Sequence, residues 1–235
     1  MKTTLLFLSV FLSANLFGQS PYFSTAVKYF LKGEYQKAIE NFNRELKINP
    51  DNLDAFYNRG LSYNYIGKYE ESISDFTIAI KLGPSASEAH QVYLSRGAAY
   101  DLQGKYQESI SDYNLAIELN PDFAMAYNNR GRVYGELGKL QEAIKEFTTA
   151  IQLNPDLADA YANRGITFGK KTIGKYRESV DDLTKAIELN PNLAEAYYYR
   201  GLAKDLIQQN GCDDIMKSKS MGFPVDLELM KIACY

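Results

Sequence analysis

Two kinds of side chain stand in this sequence at spacings that could do chemistry. The first is a series of arginines, Arg59, Arg96, Arg130, Arg164 and Arg200, each followed by an acid: Asp75, Asp112, Glu146, Asp182 and Asp214. The separation is 16 residues in three cases, 18 in the fourth and 14 in the last. A guanidinium fork matches a carboxylate, so the series is either an anion-binding ladder or a structural ion-pair ladder tying helices together. The structural reading is the stronger, because the pairing follows the register of the surrounding pattern and not a fixed linear distance. The second kind is Cys212 and Cys234, the only two cysteines. In an exported chain such a pair is expected to be oxidised; free buried thiols are the alternative. A redox site usually takes the form Cys-x-x-Cys, which is absent. Closing the loop would contribute about 3 kcal/mol in the chain-entropy model.

Nothing else points to catalysis. His90 is the only histidine and is expected at the surface. No His/Cys/Asp/Glu set has metal-ligand spacing. There is no nucleophile elbow and no phosphate-cradling glycine loop. The reading is therefore of a non-enzyme with no cofactor and no metal.

The elements that must position these residues are clearest in Ala124 to Pro155, two amphipathic helices joined at Leu137-Gly138-Lys139. Tyr127, Gly131 and Tyr134 share one stripe of the first helix, and Ala143, Phe147 and Ala150 one stripe of the second. A glycine between two aromatics lets the helices approach closely, and Asn154-Pro155 ends the second. The pattern recurs. Terminal prolines fall at Pro50, Pro84, Pro121, Pro155 and Pro191, spaced 34, 37, 34 and 36 apart. The helix-A small residue is Ala26, Gly60, Gly97, Gly131, Gly165 and Gly201, and the turn glycine is Gly33, Gly67, Gly104, Gly138 and Gly174.

A two-helix unit with a period near 34 residues resembles the tetratricopeptide repeat. The resemblance implies an all-α, right-handed superhelical solenoid of about six antiparallel helix pairs. The expected parts are a leader (1–18), units at 19–52, 53–86, 87–123, 124–157 and 158–193, a degenerate sixth at 194–222, and a C-terminal capping helix within 223–235. Glu45 stands where later units have alanine, a departure expected of a first repeat with no preceding neighbour. Ser85-Ala86-Ser87-Glu88-Ala89 adds three residues, expected to lengthen the next helix with Ser85 or Ser87 as its cap. The turn at Gly169-Lys170-Lys171-Thr172-Ile173 holds two extra residues and should bulge.

The first eighteen residues differ in kind. Lys2 precedes the apolar run Leu5 to Leu12, too short to span a bilayer comfortably, and small or polar residues follow it. This is the layout of a secretory signal, with cleavage expected after Gly18, so the chain reads as periplasmic or secreted. An uncleaved membrane anchor is the alternative. With Lys2 removed, 25 basic residues face 29 acidic ones. There is no basic run, which disfavours nucleic-acid binding.

The resemblance further implies a protein or peptide ligand in the concave groove formed by successive A helices. One subclass of the family grips a C-terminal carboxylate with basic residues assisted by asparagine. Asn58, Asn129 and Asn163 match that asparagine, but Asp54, Tyr57, Gln91, Asp159 and Glu195 stand where the basic partners would be. Helical spacing puts Phe23, Val27, Phe30, Tyr57, Leu61 and Tyr65 on the groove face at its N-terminal end, which makes them the expected docking patch. Further along, Asn128, Arg132, Glu136, Ala162 and Lys170 make the groove more polar. The function expected is a non-enzymatic, exported protein-interaction scaffold. The alternatives are a module stacking envelope polysaccharide on groove tyrosines, and a solenoid self-associating through its end faces.

Overall fold

The computed structural model describes residues 20–226, apart from the side chains of residues 86 and 87. The expected leader falls outside the described residues. So does most of the expected capping helix: Val225 and Asp226 are non-helical, and 227–235 are not described. Cys234, and with it the expected disulfide, also lies outside.

Among the described residues the secondary structure is entirely helical. Twelve helices follow in order: α1 (Pro21–Leu31), α2 (Tyr35–Ile48), α3 (Leu53–Tyr65), α4 (Tyr69–Lys81), α5 (Ala86–Leu102), α6 (Tyr106–Leu119), α7 (Ala124–Glu136), α8 (Leu140–Leu153), α9 (Ala158–Phe168), α10 (Tyr176–Leu189), α11 (Ala194–Leu206) and α12 (Cys212–Ser220). They fall into two compact units, α1–α6 and α7–α12, meeting at Pro121–Asp122. Within each unit every helix packs on the next, and each odd-numbered helix also touches the next odd one. This is the stacking by which a solenoid builds its core between neighbours.

Local chemistry sets the boundaries. Asn120, Asn154 and Asn190 take φ near −140° and ψ near 93°, the extended conformation imposed on a residue before proline. The helix-A to helix-B turns need a left-handed residue, and Gly67 supplies φ of 76° without steric cost. The two extra residues of the fifth pair are taken up in a bulged turn, with the Ile173 and Gly174 amides donating to the Lys170 carbonyl at 2.8 and 2.9 Å.

Inside each pair, helix A and helix B meet across the small residue. A methyl carbon on Gly131 would stand 2.8 Å from Phe147, and one on Gly97 2.8 Å from Tyr113. Ser72 takes the place of alanine in α4 and donates to the Gly60 carbonyl at 2.8 Å, adding a bond where the helices are closest.

Three local expectations are refined. The extra residues before the third pair do lengthen its first helix: α5 runs 17 residues, with Ser85 as its cap and Glu88 accepting the Ser85 amide at 3.0 Å. That added turn carries His90 into the packed side of the helix, where it is 9% exposed, so the expectation of a surface histidine is wrong. Glu45, the polar residue expected of a first repeat, is sealed from solvent. It accepts hydrogen bonds from Ser20 Oγ, Asn49 Nδ2 (2.7 Å) and Asn52 Nδ2 (2.8 Å), tying the start of α1 to the α2–α3 turn.

Candidate functional site

The arginine series closes in all five places. Arg59 Nε and Nη2 donate to the two oxygens of Asp75, both at 2.7 Å, and Arg96 grips Asp112 in the same way at 2.8 Å. Arg164–Asp182 and Arg200–Asp214 repeat the arrangement at 2.6–2.8 Å. In the fourth pair both donors converge on one oxygen of Glu146. The remaining nitrogen, Nη1, reaches helix B of the preceding pair: Asn43 for Arg59, Thr77 for Arg96, Thr148 for Arg164 and Thr184 for Arg200, at 2.6–3.2 Å. Each guanidinium also lies 5.4–5.9 Å from aromatic rings on its own helix, such as Phe56 and Tyr63 around Arg59. Arg59, Arg96, Arg164 and Arg200 thus each tie three helices, and both oxygens of their acids are engaged by the fork.

Electrostatics follows the number of partners. Burial pushes the Asp75 and Asp112 carboxyls up, and the arginines pull them back only in part. Asp214 is also raised by burial, yet Arg200 and Lys204 together hold it below its ordinary value. Lys204, which stands where other A helices carry an aromatic, donates to Asp214 at 2.7 Å.

The apolar docking patch expected at the N-terminal end does not exist as a free surface. Phe23, Val27, Phe30, Tyr57 and Leu61 are 0–7% exposed and belong to the core. Phe23 sets its edge on Phe42 at 5.7 Å; Tyr57 leans on Phe76 at 5.6 Å, with its hydroxyl 3.1 Å from Ser95 Oγ on α5. Tyr65 keeps 40% of its surface, but its ring stacks on Tyr35 at 4.5 Å with Phe30 against its edge. The reason is geometric. Neighbouring A helices touch, so wide side chains at groove positions fill the seam between them. The polysaccharide alternative loses the same rings as a stacking surface.

A different face emerges in the second unit, where α7, α9 and α11 lie side by side. Asn163 Nδ2 donates to Asn128 Oδ1 at 3.0 Å, and Asn128 Nδ2 to Asn129 Oδ1 at 3.4 Å. The chain of amides ends on the buried Asn129 Nδ2, which has no acceptor in the protein. Burial raises the carboxyl of Asp159, on α9, above its usual value. On α11, Tyr198 and Tyr199 meet edge to face at 5.2 Å, and burial raises both phenols. Amides at this spacing can pair with an extended backbone, carboxylates with a cation, and the tyrosines with an aromatic side chain. The sequence signal for the amides is the tripeptide Asn-Arg-Gly at 58, 129 and 163. Asn58 is spent locally, its amide donating to the Asp54 carbonyl at 2.8 Å.

Other features carry less. A cavity of about 400 Å³ opens between α10 and the α11–α12 turn, lined by Arg177, Val180, Asp181, Ile207 and Gln209. Among the described residues there is no cluster of three or more His, Cys, Asp or Glu able to hold a metal, and no helix long and apolar enough to cross a membrane.

Comparison with known proteins accords with this geometry. No curated protein is similar in sequence at a significant level. Among solved structures, the APC/C hetero-tetramer Cut9–Hcn1 superposes with a TM-score of 0.79 at 19% identity, over 91% of this chain but only 42% of that one. MamA gives 0.59 at 26% identity, covering 74% of this chain and 92% of MamA. YrrB, described as a TPR protein with an unusual peptide-binding site, gives 0.56 at 23% identity over 77% and 90%. The model for the TPR repeat matches residues 28–64, 97–138, 131–171 and 173–204, and a second tetratricopeptide model matches 53–85. The fold is one that supports protein–protein interaction. With more than half of its length matched, the chain belongs to the tetratricopeptide repeat family.

Proposed function

We propose that this protein is a non-enzymatic, exported scaffold that binds an extended peptide or protein segment along the α7–α9–α11 face. The observation that carries the reading is Asn129. It is 5% exposed and its Nδ2 meets no acceptor, at the end of the amide chain that runs back to Asn163. The donor is sealed from solvent as it stands, and a turn of the Asn129 side chain towards the face would let a ligand carbonyl satisfy it. Asp159 and Glu195, at matching positions on α9 and α11, favour a ligand carrying a Lys or Arg. Export rests on the apolar leader, and it would place Cys212 and Cys234 where a disulfide persists.

The test is peptide selection. Random peptides displayed on phage and selected on the full chain should bind with micromolar affinity and lose at least about tenfold on an Asn129→Ala, Asn163→Ala variant, the loss expected for two hydrogen bonds. Selected peptides that bind both proteins equally would move the site off this face.

A further inference from the structure

The last described residues do not leave the molecule. Phe223-Pro224-Val225-Asp226 is non-helical, and its burial alternates: Phe223 and Val225 are half-buried, Pro224 and Asp226 exposed. That period of two is the mark of an extended strand lying on a surface. The surface is α11. The Phe223 ring is 5.2 Å from the Tyr198 ring, tilted by 37°, and Tyr198 in turn meets Tyr199 at 5.2 Å. Asp226 lies close enough for its charge to add to the burial that raises the Tyr198 phenol. Tyr198 stands three residues before Gly201, the residue that touches Ile215 of α12. It occupies the helix-A position that Asn128 holds on α7 and Ala162 on α9, beside the groove and off the α12 contact.

We propose that Tyr198 and Tyr199 form a subsite for an aromatic side chain on an extended segment, and that the chain's own Phe223 fills it in cis. This rests on the reading of the second-unit face as a peptide site, and it adds two things. It names the ligand chemistry at the C-terminal end of that face: an aromatic residue followed by proline, in extended conformation. It also makes the tail an internal competitor, which an incoming segment must displace.

The sequence holds no tryptophan, so Phe223→Trp introduces a single indole into the full chain. Seated on Tyr198, it should emit in the blue-shifted range of a half-buried indole. An excess of the synthetic peptide Met221–Met230 should displace it and move emission to the red. Adding Tyr198→Ala should give the red emission from the outset. Anisotropy of the same peptide, fluorescein-labelled, supplies the second measurement. Full-length Phe223→Ala should bind it about tenfold more tightly than the unmodified chain, the factor a good aromatic pair supplies. Solvent-exposed emission from the Phe223→Trp chain, or equal peptide binding by both chains, overturns the proposal. A concentration-dependent dimer that accounts for the blue shift would place the tail in a second copy and overturn the cis arrangement. If phage-selected peptides still depend on Asn129 and Asn163 while the tail peptide fails, the subsite alone is wrong and the amide face stands.

Discussion

Arg96 and Asp112 are joined by two parallel bonds of 2.8 Å, one to each carboxylate oxygen, whereas Arg130 and Glu146 share a single oxygen. The two ties therefore differ in geometry although they occupy the same place in the repeat.

Removing either arginine leaves a carboxylate stranded beside packed aromatics, and the better-made pair should lose more. Arg96→Ala is expected to cost about 3 kcal/mol and Arg130→Ala about 1–2 kcal/mol. Urea denaturation of the two variants checks the order. Equal midpoints would mean that the second prong contributes nothing.

Glu45 makes the first pair acid-sensitive. Burial raises its carboxyl, but bonds from Ser20, Asn49 and Asn52 outweigh that and hold it below its ordinary value. The folded state thus binds fewer protons than the unfolded chain. The stability Glu45 contributes is complete above the usual glutamate pKa of about 4.3 and is lost as pH falls through the lower folded value. Glu45→Gln should remove about 2 kcal/mol at pH 7 and flatten this part of the acid unfolding curve. Hydrogen exchange at the α1 amides, followed from pH 6 down to pH 3, reads it directly.

Two glycines four residues apart on α7 should respond oppositely to alanine. A methyl group on Gly131 meets Phe147 at 2.8 Å and Glu146 Cβ at 3.0 Å, so Gly131→Ala should cost about 1–3 kcal/mol. At Gly135 the same methyl meets nothing within 4 Å, and Gly135→Ala should stabilise by about 0.5–1 kcal/mol. Thermal unfolding distinguishes them by sign.

How much of this could be read in the sequence depends on which contacts a single repeat determines. Helix boundaries, the glycine–aromatic contact and the arginine–acid register are internal to one helix pair, and period and residue type reveal them. Burial at groove positions depends on the neighbouring A helix. A helical wheel gave Tyr57 and Leu61 a free face because it omits α1 and α5. The burial of His90 is hidden from the sequence for a related reason: its depth follows from how far the inserted residues extend α5. Nor does the spacing within one pair show that the third guanidinium nitrogen, Nη1, crosses to the preceding pair, since its partners Asn43, Thr77, Thr148 and Thr184 lie outside the arginine's own pair.

The burial of Tyr57 reverses what its truncation should do. Tyr57→Ala opens a cavity against Phe76 and is expected to destabilise by about 3–5 kcal/mol. Tyr57→Phe, which removes only the bond to Ser95, should lose about 1 kcal/mol. Near-neutral behaviour of the alanine variant in denaturation would return Tyr57 to the surface.

For the terminal cysteines, intact mass of the unreduced mature protein should be two hydrogens below the reduced value, with Cys212 and Cys234 peptides linked. Two thiols open to alkylation in freshly isolated protein would refute the pairing.

The ladder also has a direction. Arg59, Arg96, Arg164 and Arg200 each lend Nη1 backwards, and the preceding helix B offers an oxygen forwards: Asn43, Thr77, Thr148 and Thr184, the threonines standing two residues past their own helix's acid. Two residues past Asp214 stands Met216, which is 57% exposed and has no hydroxyl to give. An array of this kind can be lengthened by duplicating the second or the fifth pair, since each carries both a plug and a socket. A copy of the last pair would be a dead end. Grafting a further repeat after α12 would first require Met216→Thr, which turns a terminus into a joint.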